Sequence, residues 1–325
     1  MDLSEKIYLA GSNGMVGSAI KRQLIINGYG CEDMGGKIFC PSSAELNLLN
    51  FNELKDWFEV NKPRIVIMAA AKVGGILANS KYPYQFIFNN IQIQSNLIEI
   101  ARLFKVKKIL FLGSSCIYPK LAKQPIKEEY LLDGYLEPTN QWYAIAKIAG
   151  LKLCEALHKE YDINAISLMP CNLFGPGDNY DLKTSHVLPA MISKFQYAKD
   201  NNQSQVVCWG TGNPMREFLY VDDLADACIF ALKNWDIARD DSPRDSSLNK
   251  LFWLNVGSGK EISIKKLAET IADLIGYQGE ILWDKTKPDG TPRKLLDISK
   301  IKDLGWVPKV SLNEGIKRAI NDFKK

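Results

Sequence analysis

The stretch that decides the fold is KIYLAGSNGMVGSAI, residues 6–20. An apolar run leads directly into three glycines spaced three apart, Gly11, Gly14 and Gly17, and a helical pattern follows. Glycines at this spacing allow a tight turn and let the backbone approach a pyrophosphate, whose charge is favoured at a helix N-terminus. Because a strand precedes the glycines and a helix follows them, the stretch predicts a dinucleotide-binding turn.

The alternation of strand and helix continues outward from this turn. Continuous apolar runs (KIFC, RIVIMAAA, KILFLGSS and AISLMP) are separated by amphipathic helical stretches. Strands that are apolar throughout are typical of a parallel sheet covered on both faces. The pattern therefore predicts an α/β fold with a doubly wound parallel sheet of the Rossmann type.

After about Asn172 the pattern loosens into Gly- and Pro-rich segments with short strands and helices. We therefore predict a Rossmann domain over residues 1–172, to which some later segments return, and a smaller C-terminal α/β lobe over residues 173–325 that mainly binds substrate. The polar stretch 236–250 is expected to be a mobile surface loop.

Composition and charge exclude several function classes. The 325 residues are 46% hydrophobic, and the formal net charge of +4 is spread along the chain without a block of like charges. Neither a nucleic acid nor a membrane surface is therefore a predicted partner. The N-terminus lacks an apolar signal segment, which favours the cytoplasm. The seven cysteines form no CxxC pair, so reduced thiols are expected and no metal site is predicted.

The end of the second strand usually reports which dinucleotide binds. An acidic residue there favours NAD, and an arginine favours NADP. Residues 37–43 read KIFCPSS and carry neither signal. The residues alone leave the choice of cofactor open.

A catalytic group is predicted around Tyr143 and Lys147. Their i, i+4 spacing in a helical stretch places the phenol and the ammonium on one face, where the ammonium is expected to lower the pKa of the phenol. Ser114 follows the fourth strand, at the edge of a parallel sheet where ligands bind. The three residues together predict a ketoreductase triad, in which the phenol gives a proton to a carbonyl as a hydride arrives.

Long motifs resemble the extended short-chain dehydrogenase/reductase family. Within it, the sequence is similar to the subfamily of GDP-4-keto-6-deoxy-mannose 3,5-epimerase-4-reductases. The likeness covers nearly the whole chain and rests on GMVGSAI (14–20), AAAKVGGI (69–76), LGSSCIYPK (112–120), EPTNQWYAIAKIAG (137–150), NLFGPGDN (172–179), SHVLPA (185–190), WGTGNPMREFLYVDDLADA (209–227) and KPDGTPRKLLD (287–297).

The resemblance implies roles for individual residues. Ser114, Tyr143 and Lys147 would reduce C4 of a GDP-linked 4-keto sugar, while Cys116 and His186 would act as base and acid at C3 and C5, giving GDP-L-fucose or a close relative. NADP(H) is the implied cofactor, with NAD(H) not excluded. The implied cofactor-binding residues are Gly11, Gly14, Met15, Val16, Gly17, Ala70, Leu112, Gly113, Ser115, Pro170, Asn172 and Leu173. The implied substrate-binding residues are Lys194, Trp209, Arg216, Asp289 and Lys294, with cations for the pyrophosphate and an aromatic for the guanosine.

Two further expectations come from the family. Its members tend to form homodimers through two long helices, which would be residues 86–104 and 142–161 here. The chain also departs from the family pattern, with Asn13 and residues 41–43 where basic residues often hold a 2′-phosphate, and with Lys194 where arginine is usual.

The second histidine, His158, is expected to be structural.

Several alternatives share the predicted fold. A 4,6-dehydratase would need an acidic residue just after the serine, where the chain has Ser115 and Cys116. A nucleotide-sugar 4-epimerase with tightly held NAD would have no use for Cys116 and His186. A C4-reductase without epimerase activity, acting on a GDP-linked 4-keto sugar such as a heptose, stays open. A non-enzymatic dinucleotide-binding scaffold would not need the intact triad.

Overall fold

The computed structural model describes residues 1–182, 184–287 and 289–324, so Pro288 of the KPDGTPRKLLD motif lies outside the described residues. The strands are β1 (Lys6–Ala10), β2 (Lys37–Phe39), β3 (Ile65–Met68), β4 (Lys108–Leu112), β5 (Asn164–Pro170), β6 (Asn172–Phe174), β7 (Gln205–Trp209), β8 (Met215–Tyr220), β9 (Trp253–Val256), β10 (Glu261–Ser263), β11 (Glu280–Asp284) and β12 (Arg293–Lys294). The α-helices are α1 (Met15–Ile26), α2 (Phe51–Asn61), α3 (Ile76–Lys81), α4 (Pro83–Leu103), α5 (Gln141–Tyr161), α6 (Val187–Asp200), α7 (Val221–Asn234), α8 (Ile264–Ile275), α9 (Ser299–Asp303) and α10 (Leu312–Phe323).

A six-stranded parallel sheet forms the larger lobe, in the order β2-β1-β3-β4-β5-β9. β3 and β4 are buried along their whole length, as their continuous apolar sequences predict. The strand order reverses between β1 and β3, and ligands bind at such a point, beyond the carboxyl ends of the strands. The predicted fold class, a doubly wound parallel sheet, is confirmed.

The segments that complete this lobe come from both halves of the chain. β9 is the edge strand beside β5, and α7 packs against α1. The two long helices α4 and α5 pack against each other. In α5, Gly150 leaves room for the side chains of Gln94 and Phe111. Gln94 Nε2 donates to Ala146 O at 2.6 Å. The two helices therefore form one tightly packed pair.

The smaller lobe is built around β8. This strand pairs in parallel with β6 and β12 and antiparallel with β10, while β7 and β11 form a separate parallel pair. A second hydrophobic cluster lies beneath α6, α8 and α10 and includes Leu188, Ile192, Phe195, Leu267, Ile271 and Ile316. Ser311 caps α10 by accepting a hydrogen bond from the backbone N of Glu314 at 3.3 Å.

The polar stretch 236–250 is exposed over much of its length but is tied to the protein at two points. Ile237 is fully buried, and the indole nitrogen of Trp235 donates to Ser242 Oγ at 3.2 Å. In the part of the chain that the structure describes, none of the helices combines the length and the apolar character needed to cross a membrane.

The first turn of α1 depends on two glycines in different ways. A Cβ on Gly17 would lie 2.0 Å from Gly11 O, a backbone atom that cannot move aside, whereas a Cβ on Gly14 would lie 3.6 Å from the same oxygen. We expect Gly17→Ala to lower the free energy of unfolding by about 3 kcal/mol, the upper range for overpacking. Gly14→Ala is the matched control and is expected to change it by less than about 1 kcal/mol. Chemical denaturation measures both, and equal values for the two variants would contradict the close approach.

Candidate active site

The turn between β1 and α1 has the shape of an anion cradle. Gly11 has a φ of 83°, in the left-handed region, and the backbone N of Gly14 donates to Gly11 O at 3.2 Å. Among the described residues no side chain caps the N-terminus of α1, and the first amides of a helix have no intrahelical partners. Apart from its chain neighbours, Gly11 O is the one described atom within 4 Å of the Cβ position of Gly14, so a pyrophosphate can approach the backbone there. The turn therefore fits a dinucleotide.

The other residues predicted to bind a cofactor lie along the same edge of the sheet. A Cβ on Gly11 would lie 2.6 Å from the backbone N of Ala70, which places the end of β3 against the turn. From the opposite side, the Cβ position of Gly177 lies 3.8 Å from the Cα of Met15. At the ends of β4 and β5, or just beyond them, are Leu112, Gly113, Ser115, Pro170, Asn172 and Leu173.

The loop after β2 offers no strong charge signal. Ser12 Oγ donates to Cys40 O at 3.4 Å, and the backbone N of Ser42 donates to Glu45 Oε2 at 2.7 Å. Burial raises the pKa of the Cys40 thiol, and the charge of Lys21 acts against that rise. Lys21 is therefore a cation near this loop, and the carboxylate of Glu45 is engaged with the backbone.

Lys147 joins the predicted triad to the sheet. Its ammonium is buried and donates to Leu112 O at 2.7 Å, at the end of β4. It also lies 5.6 Å from the ring centre of Tyr143. Two residues beyond Leu112, Ser114 Oγ accepts a hydrogen bond from the backbone N of Cys116 at 3.3 Å. The first turns of α5 and the end of β4 thus bring the three predicted residues into one region.

The expected effect of Lys147 on the phenol is wrong for the protein by itself. Burial raises the pKa of Tyr143, and the neighbouring Cys116 raises it further. Burial also lowers the pKa of Lys147 to about 8, because the charged form loses hydration. The i, i+4 spacing indicates the ammonium, but not the loss of hydration that both groups undergo on burial. The phenol is therefore protonated at neutral pH, as a proton donor must be.

Cys116 and His186 approach the same region from different lobes. Cys116 is buried in a short 3-10 helix, Ser115–Ile117, and burial raises the pKa of its thiol while Lys294 acts most strongly in the opposite direction. His186 is the N-cap residue of α6, with a solvent-accessible ring. Loss of hydration lowers the pKa of His186, and the positive charge of Lys294 lowers it further. One lysine therefore acts on both predicted acid–base residues.

A small polar pocket opens beside Cys116. Its walls include Tyr118, Lys120, Glu137, Asn140, Thr291 and Lys294. Lys120 and Glu137 form an ion pair of 2.9 Å across it. Asn140 Oδ1 is buried without a hydrogen-bond partner among the described residues. Lys120 and Glu137 lie in the LGSSCIYPK and EPTNQWYAIAKIAG motifs but were not predicted as site residues, because their pairing joins two separate segments of the chain.

Two residues that line this pocket, Tyr118 and Ile126, belong to a buried polar network. Tyr118 Oη donates to Asn255 Oδ1 at 2.7 Å, and the backbone N of Asn255 donates to Glu128 Oε1 at 2.9 Å. Asn255 Nδ2 donates to Ile126 O at 2.9 Å. Burial raises the pKa of Glu128 to about 7. The network holds the segment after Cys116 against β9.

Three of the five predicted substrate-binding residues, Lys194, Trp209 and Asp289, lie outside this pocket in the smaller lobe. Trp209 is half exposed, and the ammonium groups of Lys194 and Lys287 lie 5.5 and 5.6 Å from its ring centre. Asp289 accepts hydrogen bonds from Thr211 N at 2.9 Å and Thr211 Oγ1 at 2.7 Å. Lys287 is an addition to the predicted set, within the KPDGTPRKLLD motif.

Arg216 and the last predicted substrate residue, Lys294, lie on neighbouring strands. Burial lowers the pKa of Arg216, and Asp289 and Glu137 oppose the shift. β12 places Lys294 beside Arg216 in register. The second histidine, His158, lies apart from this site, with Nδ1 3.1 Å from Ile163 O.

The fold and the site define a dinucleotide-fold oxidoreductase of the short-chain dehydrogenase/reductase class. A family model described as the NAD dependent epimerase/dehydratase family matches residues 7–242, and the chain belongs to that family. It is 50% identical over 316 residues to the probable GDP-L-fucose synthase 1 of Oryza sativa subsp. japonica, covering 97% of this chain and 90% of that protein.

A bacterial relative and a solved structure agree with this family. The chain is 48% identical to the GDP-L-fucose synthase of Escherichia coli (strain K12), covering 96% of this chain and 94% of that protein. The crystal structure of a GDP-6-OMe-4-keto-L-xylo-heptose reductase from C. jejuni superposes with a TM-score of 0.90 at 34% identity, covering 100% of this chain and 99% of that chain. The resemblance found in the sequence motifs is confirmed.

The buried carboxyl group of Glu128 makes the free energy of unfolding depend on pH. Because its pKa is raised to about 7, the folded chain holds a proton there that the unfolded chain releases near pH 4.5. The stabilisation that Glu128 provides is complete below pH 4.5 and is lost as the pH rises through about 7. The free energy of unfolding changes by about 3 kcal/mol over this range. Glu128→Gln keeps an oxygen for Asn255 N and cannot titrate.

We therefore expect the unfolding free energy of the parent to fall relative to Glu128→Gln between about pH 5 and pH 8. Denaturant titrations at several pH values measure the difference in unfolding free energy between the two proteins. The contributions of the other titrating groups are the same in both proteins and cancel in this difference. Parallel curves for the two proteins would contradict the assignment.

Proposed function

We propose that this chain is an NADP(H)-dependent enzyme that epimerises C3 and C5 of a GDP-4-keto-6-deoxy sugar and then reduces C4, giving GDP-L-fucose or a close relative. One observation carries the proposal: the Ser114, Tyr143 and Lys147 triad shares its region with Cys116, His186 and Lys294. A reductase needs the first group, and proton exchange beside a ketone needs the second.

The relatives favour this reading over the reductase alternative. The rice and E. coli proteins, at about half identity over nearly the full chain, carry the name GDP-L-fucose synthase. Reduction of C4 alone is a second candidate function, because the C. jejuni protein named as a GDP-6-OMe-4-keto-L-xylo-heptose reductase superposes closely. Its lower identity of 34% makes C4 reduction alone the less favoured function.

The chain's own residues account for the reduction. A bound nicotinamide supplies the hydride for C4. Tyr143 gives its phenolic proton to the ketone oxygen, since the raised pKa keeps it protonated, and Ser114 offers a second hydroxyl to the same oxygen. The phenolate left behind lies beside the ammonium of Lys147, which Leu112 O holds in place. Opposite charges at this distance stabilise the product state.

The epimerisation uses the acidity that the C4 ketone gives to the protons on C3 and C5. As a thiolate, Cys116 takes a proton, and the electron pair of the broken C–H bond moves to the ketone oxygen. His186 returns a proton to the carbon from the other lobe. Removal and return from different sides invert the centre, and the later reduction removes the ketone and stops further exchange.

We propose NADP(H) as the cofactor, as the family resemblance implies, and NAD(H) is not excluded. Lys21 contributes positive charge near Cys40, at the end of β2. The carboxylate of Glu45 accepts from the backbone N of Ser42 at 2.7 Å, which orients it toward its own loop. These features suit a 2′-phosphate better than a bare ribose.

We also propose a homodimer through α4 and α5, which cover the helices predicted for this contact. The pair leaves large apolar side chains exposed, among them Phe88, Trp142, Ile145, Leu153 and Tyr161. A monomeric mass in sedimentation equilibrium would overturn this proposal.

The proton-donor role of Tyr143 predicts the effect of Tyr143→Phe. We expect turnover of NADPH with GDP-4-keto-6-deoxy-mannose to fall by about 10²–10⁴-fold, the usual contribution of a positioned acid. The loss of NADPH absorbance measures it. NADPH binding, followed by its fluorescence, is the control and is expected to stay within about threefold. Undiminished turnover in this variant is incompatible with the proton-donor role.

The base role of Cys116 predicts that Cys116→Ser blocks entry of solvent deuterium at C3 and C5, because a hydroxyl is far less acidic than a thiol. Mass spectrometry of the sugar after incubation in heavy water measures the exchange. Cys171→Ser is the matched control, since Cys171 is also buried, with its Sγ 3.7 Å from Asn172 O. Equal exchange in both variants would assign the base elsewhere.

A further inference from the structure

Lys294 occupies an unusual position in the sugar pocket. β12 pairs in parallel with β8 and places Lys294 opposite Arg216. The side chain lines the same small pocket as Cys116 and Asn140. In the described ranges, its ammonium has neither a hydrogen bond nor an ion pair within the usual distances, although it lies largely within the protein. An ammonium without a partner in a pocket wall is available to a ligand or a reacting group.

A buried carboxyl group fixes the strand that carries Lys294. Glu217 has no exposed surface, and its two oxygens accept from Gly259 N at 2.7 Å and Leu296 N at 2.9 Å. Its backbone carbonyl accepts from Asn172 Nδ2 at 2.7 Å. Glu217 thereby ties the segment two residues beyond Lys294 to β8 and to the turn after β9. The backbone beside Lys294 is therefore fixed, while its ammonium has no hydrogen-bond partner among the described residues.

The charge of Lys294 reaches both predicted acid–base residues. It is the strongest of the influences that lower the pKa of the Cys116 thiol against the effect of burial. It also lowers the pKa of His186. A positive charge in the same pocket as Cys116 favours its thiolate.

We propose that Lys294 is an electrostatic positioning residue of the epimerisation, whose ammonium, carried on a strand that Glu217 fixes, stabilises the thiolate of Cys116. The inference rests on the proposed function, which supplies the reaction. When the thiolate takes the proton from C3 or C5, the C–H bond breaks, an S–H bond forms and the electron pair moves onto the ketone oxygen. The ammonium stays protonated throughout and moves no electrons.

This role differs from the predicted contact of Lys294 with the pyrophosphate. The aromatic side chain suited to the guanosine, Trp209, has Lys194 and Lys287 beside it. Those two lysines can supply cations for the diphosphate near the nucleotide. Lys294 instead faces the pocket of Cys116, where the sugar ring must react.

The test is the pH dependence of alkylation at Cys116, which needs neither cofactor nor substrate. The parent, Lys294→Met and Lys294→Arg are treated with iodoacetamide over a range of pH, and mass spectrometry follows each cysteine. We expect Lys294→Met to react about tenfold more slowly at pH values below the midpoint, which corresponds to a rise of about one unit in the pKa of the thiol. Lys294→Arg keeps the charge and is expected to follow the parent.

Internal controls separate an electrostatic effect from misfolding. Cys31 is exposed and is expected to react alike in all the proteins. Lys194→Met removes a cation elsewhere in the cleft and is expected to leave the Cys116 profile unchanged. Lys294→Gln repeats the neutralisation with a polar side chain, and thermal unfolding checks each fold. Identical Cys116 profiles in the parent, Lys294→Met and Lys294→Gln would overturn the proposal.

Two further measurements distinguish failure of the role proposed for Lys294 from failure of the proposed function. Titration with GDP is expected to show a larger loss of affinity in Lys194→Met than in Lys294→Met, and the reverse order with unchanged alkylation would return Lys294 to the diphosphate. Deuterium entry into GDP-4-keto-6-deoxy-mannose is expected to slow about tenfold in Lys294→Met. Absence of exchange in the parent overturns the proposed function, whereas equal exchange in parent and variant overturns only the role of Lys294.

Discussion

The hydrogen bond from Lys147 to Leu112 O is the contact on which the site depends. It fixes the first turns of α5 to the end of β4, so that Tyr143 and the segment with Ser114 and Cys116 lie together. The bond satisfies a buried ammonium that would otherwise be costly. The same ammonium remains near the ring of the phenol. One side chain thus provides both the support and the charge that a proton donor needs.

The sequence could predict the fold because its signals are local. The glycine turn from Gly11 to Gly17 and the continuous apolar strands act over a few residues, and the structure confirms the parallel sheet that they indicate. Contacts between distant segments left no such signal. The ion pair of Lys120 with Glu137 and the hold of Glu217 on Leu296 N are examples. The pKa of Tyr143 was predicted in the wrong direction because burial cannot be read from an i, i+4 spacing.

Loss of hydration and local charge oppose each other at Cys116 and at Lys147. Burial raises the pKa of Cys116 and lowers the pKa of Lys147. Burial thus favours the neutral thiol and the neutral amine, whereas the proposed reaction needs a thiolate and an ammonium. The charge of Lys294 acts against burial at Cys116, where it favours the thiolate. A site of this kind combines a water-poor interior with a few charges placed where they act.

The path of the chain between the lobes limits how such a protein can change. α7, which covers α1, and β9, at the edge of the large sheet, come from beyond residue 220, after the chain has entered the smaller lobe. Cutting the chain after β5 would uncover the apolar faces that these two elements bury. The larger lobe therefore completes its core only with segments that follow the smaller lobe's first strands, and a cut between the two halves would leave neither with its apolar faces covered.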